Sequence, residues 1–253
     1  MSKIYSVEAL ILRARDYGEA DKILTLYTRE QGKVSAIAKG VRKPKSRLRG
    51  GVQPFSHSRV LLYRGPSLDT VTQAEAVQAF APLREDLIFL SYASYLVELL
   101  ECAVPEREPH EGIFRLAVNC LELFPEGDPE LVARLFEMRL IYYLGYQPYL
   151  NGCMKCGGAL EAGPFYLDPG IGGLVCRKCS LDPHGKTRVT AGTASTLKRL
   201  LSLDKKSIFR LKISPGTRRE MDTALRSYLE YYLERKLKSR RVLEDILGQA
   251  GGE

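Results

Sequence analysis

Two cysteine pairs, Cys153-Met154-Lys155-Cys156 and Cys176-Arg177-Lys178-Cys179, stand nineteen residues apart, and together they constrain the fold of this chain more than any other feature. A C-x2-C turn brings two thiolates to one ion, and two such turns complete the tetrahedral shell of Zn²⁺. A complete shell leaves no position for water, so the predicted metal is structural. Lys155, Arg177 and Lys178 lie between the ligands, where they offset the net negative charge of a four-thiolate centre. Ordering of the segment by the metal would contribute roughly 10 to 16 kcal/mol, as in zinc-finger peptides. Cys102 and Cys120 fall on apolar helical faces and read as small buried hydrophobes. His184, five residues beyond Cys179, is not needed once four thiolates are in place.

Such a reading requires reduced thiols. The start, MSKIYSVEALILRAR, has a short apolar run broken by Glu8 and no small-residue cleavage site, so export is not expected. The longest charge-free stretch, Leu140 to Met154, has 15 residues and contains glycine, proline and asparagine; it is too short to span a bilayer. The expectation is a cytoplasmic, nucleoid-associated protein without membrane contact, where cysteines stay reduced.

A second feature is AKGVRKPKSRLRGG, residues 38–51. It carries Lys39, Arg42, Lys43, Lys45, Arg47 and Arg49 with no acid among them. Charge is unevenly spread along the chain: residues 1–80 hold 14 basic and 7 acidic side chains, 81–152 hold 5 and 12, and 153–253 hold 19 and 11. The formal net charge of +8 is therefore a basic front, an acidic middle and a basic end, a pattern that speaks of polyanionic partners rather than of fold.

Before Gln78 the chain reads as short β-branched runs between turn residues: Tyr5–Arg13, Ile23–Thr28, Lys33–Ala38, Arg59–Tyr63 and Thr70–Val77. Five strands in about 80 residues suit a small closed barrel, with the OB-fold the natural candidate. From Pro82 the period becomes helical, with Leu83, Leu87, Leu90, Ser94, Val97 and Glu101 on one face. Further helices are predicted over Glu111 to Leu123, from Asp128-Pro129 to near Gly145, and around Ala194 to Leu203. A long last helix is opened by the capping box Thr217-Arg218-Arg219-Glu220 and carries Met221 through Leu237 on one face. The expected class is α+β and multidomain: an N-terminal OB-fold β-barrel over 1–80, an α-helical domain over 81–150 and 185–253, and an inserted four-cysteine zinc finger over 151–184.

In such a barrel a long cationic loop between strands points to phosphate contact, so Lys39, Arg42, Lys43, Lys45, Arg47 and Arg49 are the predicted nucleic-acid ligands. Lys and Arg there set position and affinity without reading sequence. Tyr17, Phe55 and Tyr63 are candidates for base stacking. No catalytic signature accompanies them. Gly185-Lys186-Thr187 lacks the first glycine of a P-loop, and G-x-S-x-G, H-E-x-x-H and paired-carboxylate motifs are missing from a chain whose three histidines are scattered. An RNA-directed translation or transcription accessory is the alternative class, because charge alone does not separate RNA from DNA. A nuclease using Asp16, Glu19 and Asp21 is a further one.

The basic segment continuing to Phe55, the preceding YGEADKILTLYTREQGKV, FEMRLIYYLGYQP before the cysteines, the C-x2-C pairs and LKSRRVLEDIL near the end together resemble the bacterial recombination mediator family RecO. The likeness runs in consistent order over essentially the whole chain. It implies an OB-fold followed by a helical domain with an inserted zinc finger. It also implies binding of single- and double-stranded DNA, ATP-independent annealing of complementary strands, and association with a RecR-type mediator. Recombinase loading onto strands coated by single-strand-binding protein would follow, with RecA an indirect partner. By local match, Arg134 would receive the acidic C-terminal tail of that coating protein. No enzymatic activity is implied.

Overall fold

The computed structural model describes residues 3–159, 164–180, 185–205 and 207–250. In chain order the elements are strands β1 (Ile4–Tyr17), β2 (Asp21–Thr28), β3 (Gly32–Ala38), β4 (His57–Tyr63) and β5 (Asp69–Gln78) and helices α1 (Pro82–Glu85), α2 (Leu87–Ala103), α3 (Glu111–Leu123) and α4 (Pro129–Tyr143). Strands β6 (Phe165–Asp168), β7 (Gly173–Cys176) and β8 (Thr187–Val189) follow, then helices α5 (Ala191–Ser202), α6 (Pro215–Leu233) and α7 (Lys238–Ala250). Packing divides them into two units, Met1–Glu126 with Leu237–Glu253, and Gly127–Lys236.

In the first unit the five strands close into a barrel of order β1-β2-β3-β5-β4. All neighbours are antiparallel except β3 and β5, which close it in parallel at Ala36↔Asp69 and Ile37↔Thr70. This is the expected OB-type barrel. Strict alternation writes its inside: in β3, Gly32, Val34, Ala36 and Ala38 are buried and the residues between them are not. The core gathers Val7, Ala9, Ile11, Leu24, Leu26, Val60, Leu62 and Val71 with those of β3, and the small Ala9, Ala36 and Ala38 leave space for their branched neighbours. A register shift between Ile11 and Arg13 bends β1, so that one long strand pairs with both β2 and β4. Gly32 adopts φ +65, and a Cβ there would overlap the backbone of Glu108, so both conformation and close approach require glycine.

The helical run expected from Leu83 is interrupted. Asp86 is extended, and its carboxylate accepts from Phe89 N at 2.9 Å, which makes it the N-cap of α2 and cuts off α1. An Asp before a hydrophobic run stabilises a fresh helix start more than it tolerates a helix interior. Helix α3 lies where the sequence places it, with His110 Nδ1 accepting from Ile113 N as its cap. The last helix, α7, packs on α2 within this unit through buried Leu243.

In the second unit α4 begins as expected, Asp128 capping and Pro129 at the first position. Helix α6 does not. It starts at Pro215, capped by Ser214, whose hydroxyl accepts from Thr217 N at 3.2 Å. A hydroxyl followed by proline outcompetes the later capping box, because proline fixes φ and has no donor to satisfy. Glu220 is thereby freed to accept from Thr190 N at 2.9 Å and from the Thr190 and Thr193 hydroxyls, tying α6 to the start of α5. Helix α6 also stops short of Leu237: Glu234 turns left-handed, φ 52, and ends it. Strand β6 pairs with β7 and β8 into a three-stranded sheet that carries the second cysteine pair.

Candidate nucleic-acid interface and metal centre

Between β3 and β4 the basic segment is a chain of turns, pinned at its apolar residues. Val41 and Val52 are buried in the barrel core and Leu48 packs against it. Arg42 N donates to Ala20 O at 2.9 Å, and Gly40 N donates to the Asp21 carboxylate at 2.7 Å. Gly51 lies so close to β5 that a Cβ there would stand 2.5 Å from the Ala74 carbonyl carbon. Alternation of anchors and cations therefore leaves Lys39, Arg42, Lys43, Lys45, Arg47 and Arg49 all exposed. Of these, Arg42 has found an acid outside the loop: its Nε lies 3.4 Å from Asp16. Asp16 also meets Lys22 at 2.7 Å, and that hydrogen bond first, with the charges of Arg42 and Lys22, holds its pKa below the ordinary value. Asp16 and Asp21 are thus occupied by loop and strand groups.

The aromatic candidates separate. Tyr17 and Tyr63 are exposed, whereas Phe55 is buried and lines a cavity of about 400 Å³ at the end of the loop. Arg13, Arg15, Glu98 and Lys238 line it too. Sequence reading did not gather these cations, because Lys238 reaches the barrel only through the packing of α7 on α2. Arg240, two residues further on, lies over the Tyr95 ring at 5.5 Å and pairs with Glu244 at 3.0 Å, which binds it to the helical packing.

Arg134 sits inside the second unit on α4, 2 % exposed. Its guanidinium meets Glu137 at 2.9 Å and Asp222 at 3.1 Å. Asp222 is the partly exposed member of the trio.

The four cysteines converge. Their Sγ atoms all lie within 4.8 Å of one another, and Cys156 and Cys176 are 3.9 Å apart; a tetrahedral ion with thiolates at ~2.3 Å requires S···S edges of about 3.8 Å. Each pair is closed by the same four-residue-span bond: Gly157 N donates to Cys153 O at 2.8 Å, and Ser180 N to Cys176 O at 3.0 Å. Burial works against ionisation of Cys153, yet N–H groups of Cys176, Cys156 and Lys155 aimed at its sulfur hold the pKa down to about 6. The thiols of Cys176 and Cys156, followed by burial, push Cys179 up to about 12. The donor set and geometry fit one tetrahedral dication, which would supply the charge to strip the remaining protons. Among the described residues no other His, Cys, Asp and Glu cluster is arranged to hold an ion; His184 lies outside the described residues. Among them, too, no helix is long and apolar enough to cross a membrane.

Comparison with known proteins agrees with this architecture. Residues 1–80 match the family described as Recombination protein O N terminal, and residues 84–241 match Recombination protein O C terminal. The DNA repair protein RecO of Pelotomaculum thermopropionicum is 48 % identical over 248 residues, 98 % of this chain and 96 % of that protein. Its counterpart from Symbiobacterium thermophilum is 38 % identical over 96 % of this chain and 98 % of its own length. That of Heliobacterium modesticaldum is 41 % identical over 96 % and 90 %.

Proposed function

Because the chain belongs to the RecO family of DNA repair proteins, we propose that it acts as a recombination mediator in the cytoplasm at the nucleoid. It binds single- and double-stranded DNA, anneals complementary strands without ATP, and helps load RecA recombinase onto strands coated by single-strand-binding protein. The observation that supports this reading best is the display of Lys39, Arg42, Lys43, Lys45, Arg47 and Arg49 outside a barrel whose core holds the intervening apolar residues. Phosphates meeting that row release condensed counterions, which gives affinity without sequence preference.

The work requires no bond to be broken. Annealing is limited by repulsion between two phosphate backbones, and cations in both basic regions of the chain lower that barrier while raising the local concentration of strands. The cations Arg15 and Lys238 beside the loop extend the track for the first strand, whereas Arg13 there is paired with Glu101. A RecR-type mediator is the expected protein partner, and the acidic tail of single-strand-binding protein is proposed to engage Arg134 by exchange with Asp222. Cys153, Cys156, Cys176 and Cys179 hold a structural Zn²⁺, whose contribution is to tie together the open end of the β6–β7 hairpin and the segment before it, and not to activate water.

The test is annealing of complementary oligonucleotides, with and without single-strand-binding protein, by the protein and by a variant with the six loop cations changed to glutamine. Annealing at the unmodified rate in the variant would refute the assignment of the loop, and no annealing by the protein itself would refute the activity.

A further inference from the structure

The second unit exposes a set of tyrosines that neither the basic loop nor the cysteine centre uses. Tyr146, Tyr149 and Tyr231 are 48 %, 45 % and 54 % exposed, an unusual investment of large rings in water for a surface without a task. They gather around one turn, Pro169 to Gly173. Tyr149 N donates to Gly172 O at 2.9 Å and Leu174 N returns a bond to Tyr149 O. Tyr232 donates its hydroxyl to Pro169 O at 3.0 Å. Tyr146 stacks on Tyr232 with centroids 4.4 Å apart, and Tyr231 stands edge-on to Tyr232 at 5.3 Å. The glycines let the rings approach: at Gly173 a Cβ would stand 3.0 Å from the Tyr149 Cβ, and at Gly170 one would stand 3.5 Å from the Tyr231 hydroxyl.

The border of this patch is mainly cationic. Exposed Met154 lies against Gly173, while Lys155 beyond it turns to the cysteine centre and donates to Cys179 O at 3.3 Å. Lys198 reaches Asn151 at 2.6 Å, two residues from Tyr149, and exposed Arg235 and Lys236 follow α6, beside the exposed acid Glu234. Asp168, the acid at the turn, is buried and faces Lys186 at 3.6 Å. Rings with open faces inside a basic border are what unpaired bases on a phosphate chain require, since stacking tolerates any base and the cations follow the backbone. A neutral or basic protein partner would be matched by the rings but not by the surplus of positive charge.

We propose that Tyr146, Tyr149 and Tyr231 form a stacking platform for the bases of single-stranded nucleic acid, separate from the phosphate-gripping loop. The proposal rests on the reading that the protein binds DNA, and it gives the second unit a strand-holding role that works through bases.

The experiment compares an oligothymidylate with an abasic strand of equal length, using the full protein, a Tyr146→Leu/Tyr149→Leu/Tyr231→Leu variant and the corresponding triple Phe variant. Because the chain has 14 tyrosines and no tryptophan, tyrosine emission is visible, and the part of its quenching by oligothymidylate that the Leu variant loses reports stacking on these three rings. The platform requires that the Leu variant lose at least about tenfold in affinity for oligothymidylate, with the salt slope kept, the abasic strand unaffected, and the Phe variant binding normally. In the unaltered protein, 5-bromodeoxyuridine strands should photocrosslink to peptides containing residues 146–149 or 231. Equal affinity of the protein for both strands, equal losses on both by the Leu variant, or crosslinks confined to the barrel would overturn the platform while leaving DNA binding intact. Unchanged DNA binding with lost capture of purified single-strand-binding protein would reassign the patch to a protein. Failure of the unaltered protein to bind either strand would sink the DNA reading itself.

Discussion

The carboxylate of Glu98, on α2, accepts hydrogen bonds from the backbone N–H of Ser239 at 2.7 Å and of Lys238 at 3.3 Å. It serves as a cap supplied from another helix, satisfying donors that the first turn of α7 cannot satisfy itself and placing negative charge at the positive end of that helix. Burial raises the Glu98 pKa, but the Ser239 and Lys238 bonds and the charge of Arg13 outweigh it, so the net direction is below 4.5. A carboxyl depressed in the folded state stabilises above its unfolded value, and that contribution disappears as pH falls through the folded value. Glu98→Ala should therefore lower stability at neutral pH by about 1 kcal/mol, speed amide exchange in α7, and flatten the acid limb of the stability profile below pH 4.5. Unchanged exchange in α7 would show that its packing on α2 suffices without the cap.

The basic loop depends on shape as well as charge. At Gly51 a Cβ would be forced to 2.5 Å from the backbone of Ala74, whereas at neighbouring Gly50 nothing lies within 4 Å. Gly51→Ala should cost about 1 to 3 kcal/mol and weaken DNA binding although every cation is retained; Gly50→Ala should do neither. Chemical denaturation and oligonucleotide titration of both variants decide it, and equal behaviour of the pair would mean that the loop yields without loss.

Charge has its own signature. For each of Lys43, Lys45, Arg47 or Arg49 that contacts a phosphate, substitution by Gln should reduce the slope of log affinity against log salt by about 0.7 on single-stranded DNA. Arg42 should matter less, because displacement from Asp16, 3.4 Å away, offsets part of its gain. Titrations across a range of potassium chloride concentrations measure these slopes, and a constant slope would move the phosphate contacts elsewhere.

Arg134 is a matter of stability first. Glu137 is fully buried beside it, so Arg134→Ala leaves a carboxylate in the interior and should cost about 3 to 5 kcal/mol. Asp222→Asn keeps the buried pair and should cost far less, while easing access of an acidic peptide to the guanidinium. Denaturation midpoints and peptide binding of both variants distinguish a structural role from a partner-binding one.

What the sequence made legible was local. Five strands, the cap at Asp128 and the cysteine turns all follow from patterns within a few residues, and the barrel followed because five short strands have few ways to close. What it concealed depended on competition or on distance. Ser214-Pro215 displaced the equally regular pattern at Thr217, and Asp86 cut a helix whose apolar period runs on unbroken. The burial of Arg134 reflects Asp222, 88 positions later in the chain. The tyrosines around Gly172 come from two segments, 146–149 and 231–232, far apart in sequence and on opposite sides of the turn, so no window along the chain contains them.

The metal can be tested apart from activity. With Cys156 and Cys176 already 3.9 Å apart, little movement separates the thiols from a closed tetrahedron, and one zinc per chain should copurify and be retained at neutral pH. Cys176→Ser should abolish stoichiometric metal. Because metal binding is folding free energy for such a segment, β6 and β7 should lose amide protection in that variant and on chelation, while the barrel, whose core is built from other residues, should keep its protection. The same pattern should appear in limited proteolysis, with new cleavage between residues 150 and 190 and an intact N-terminal fragment. A metal-free protein with β6 and β7 still protected would show that Leu167, Leu174 and Val175, all buried, order the sheet unaided.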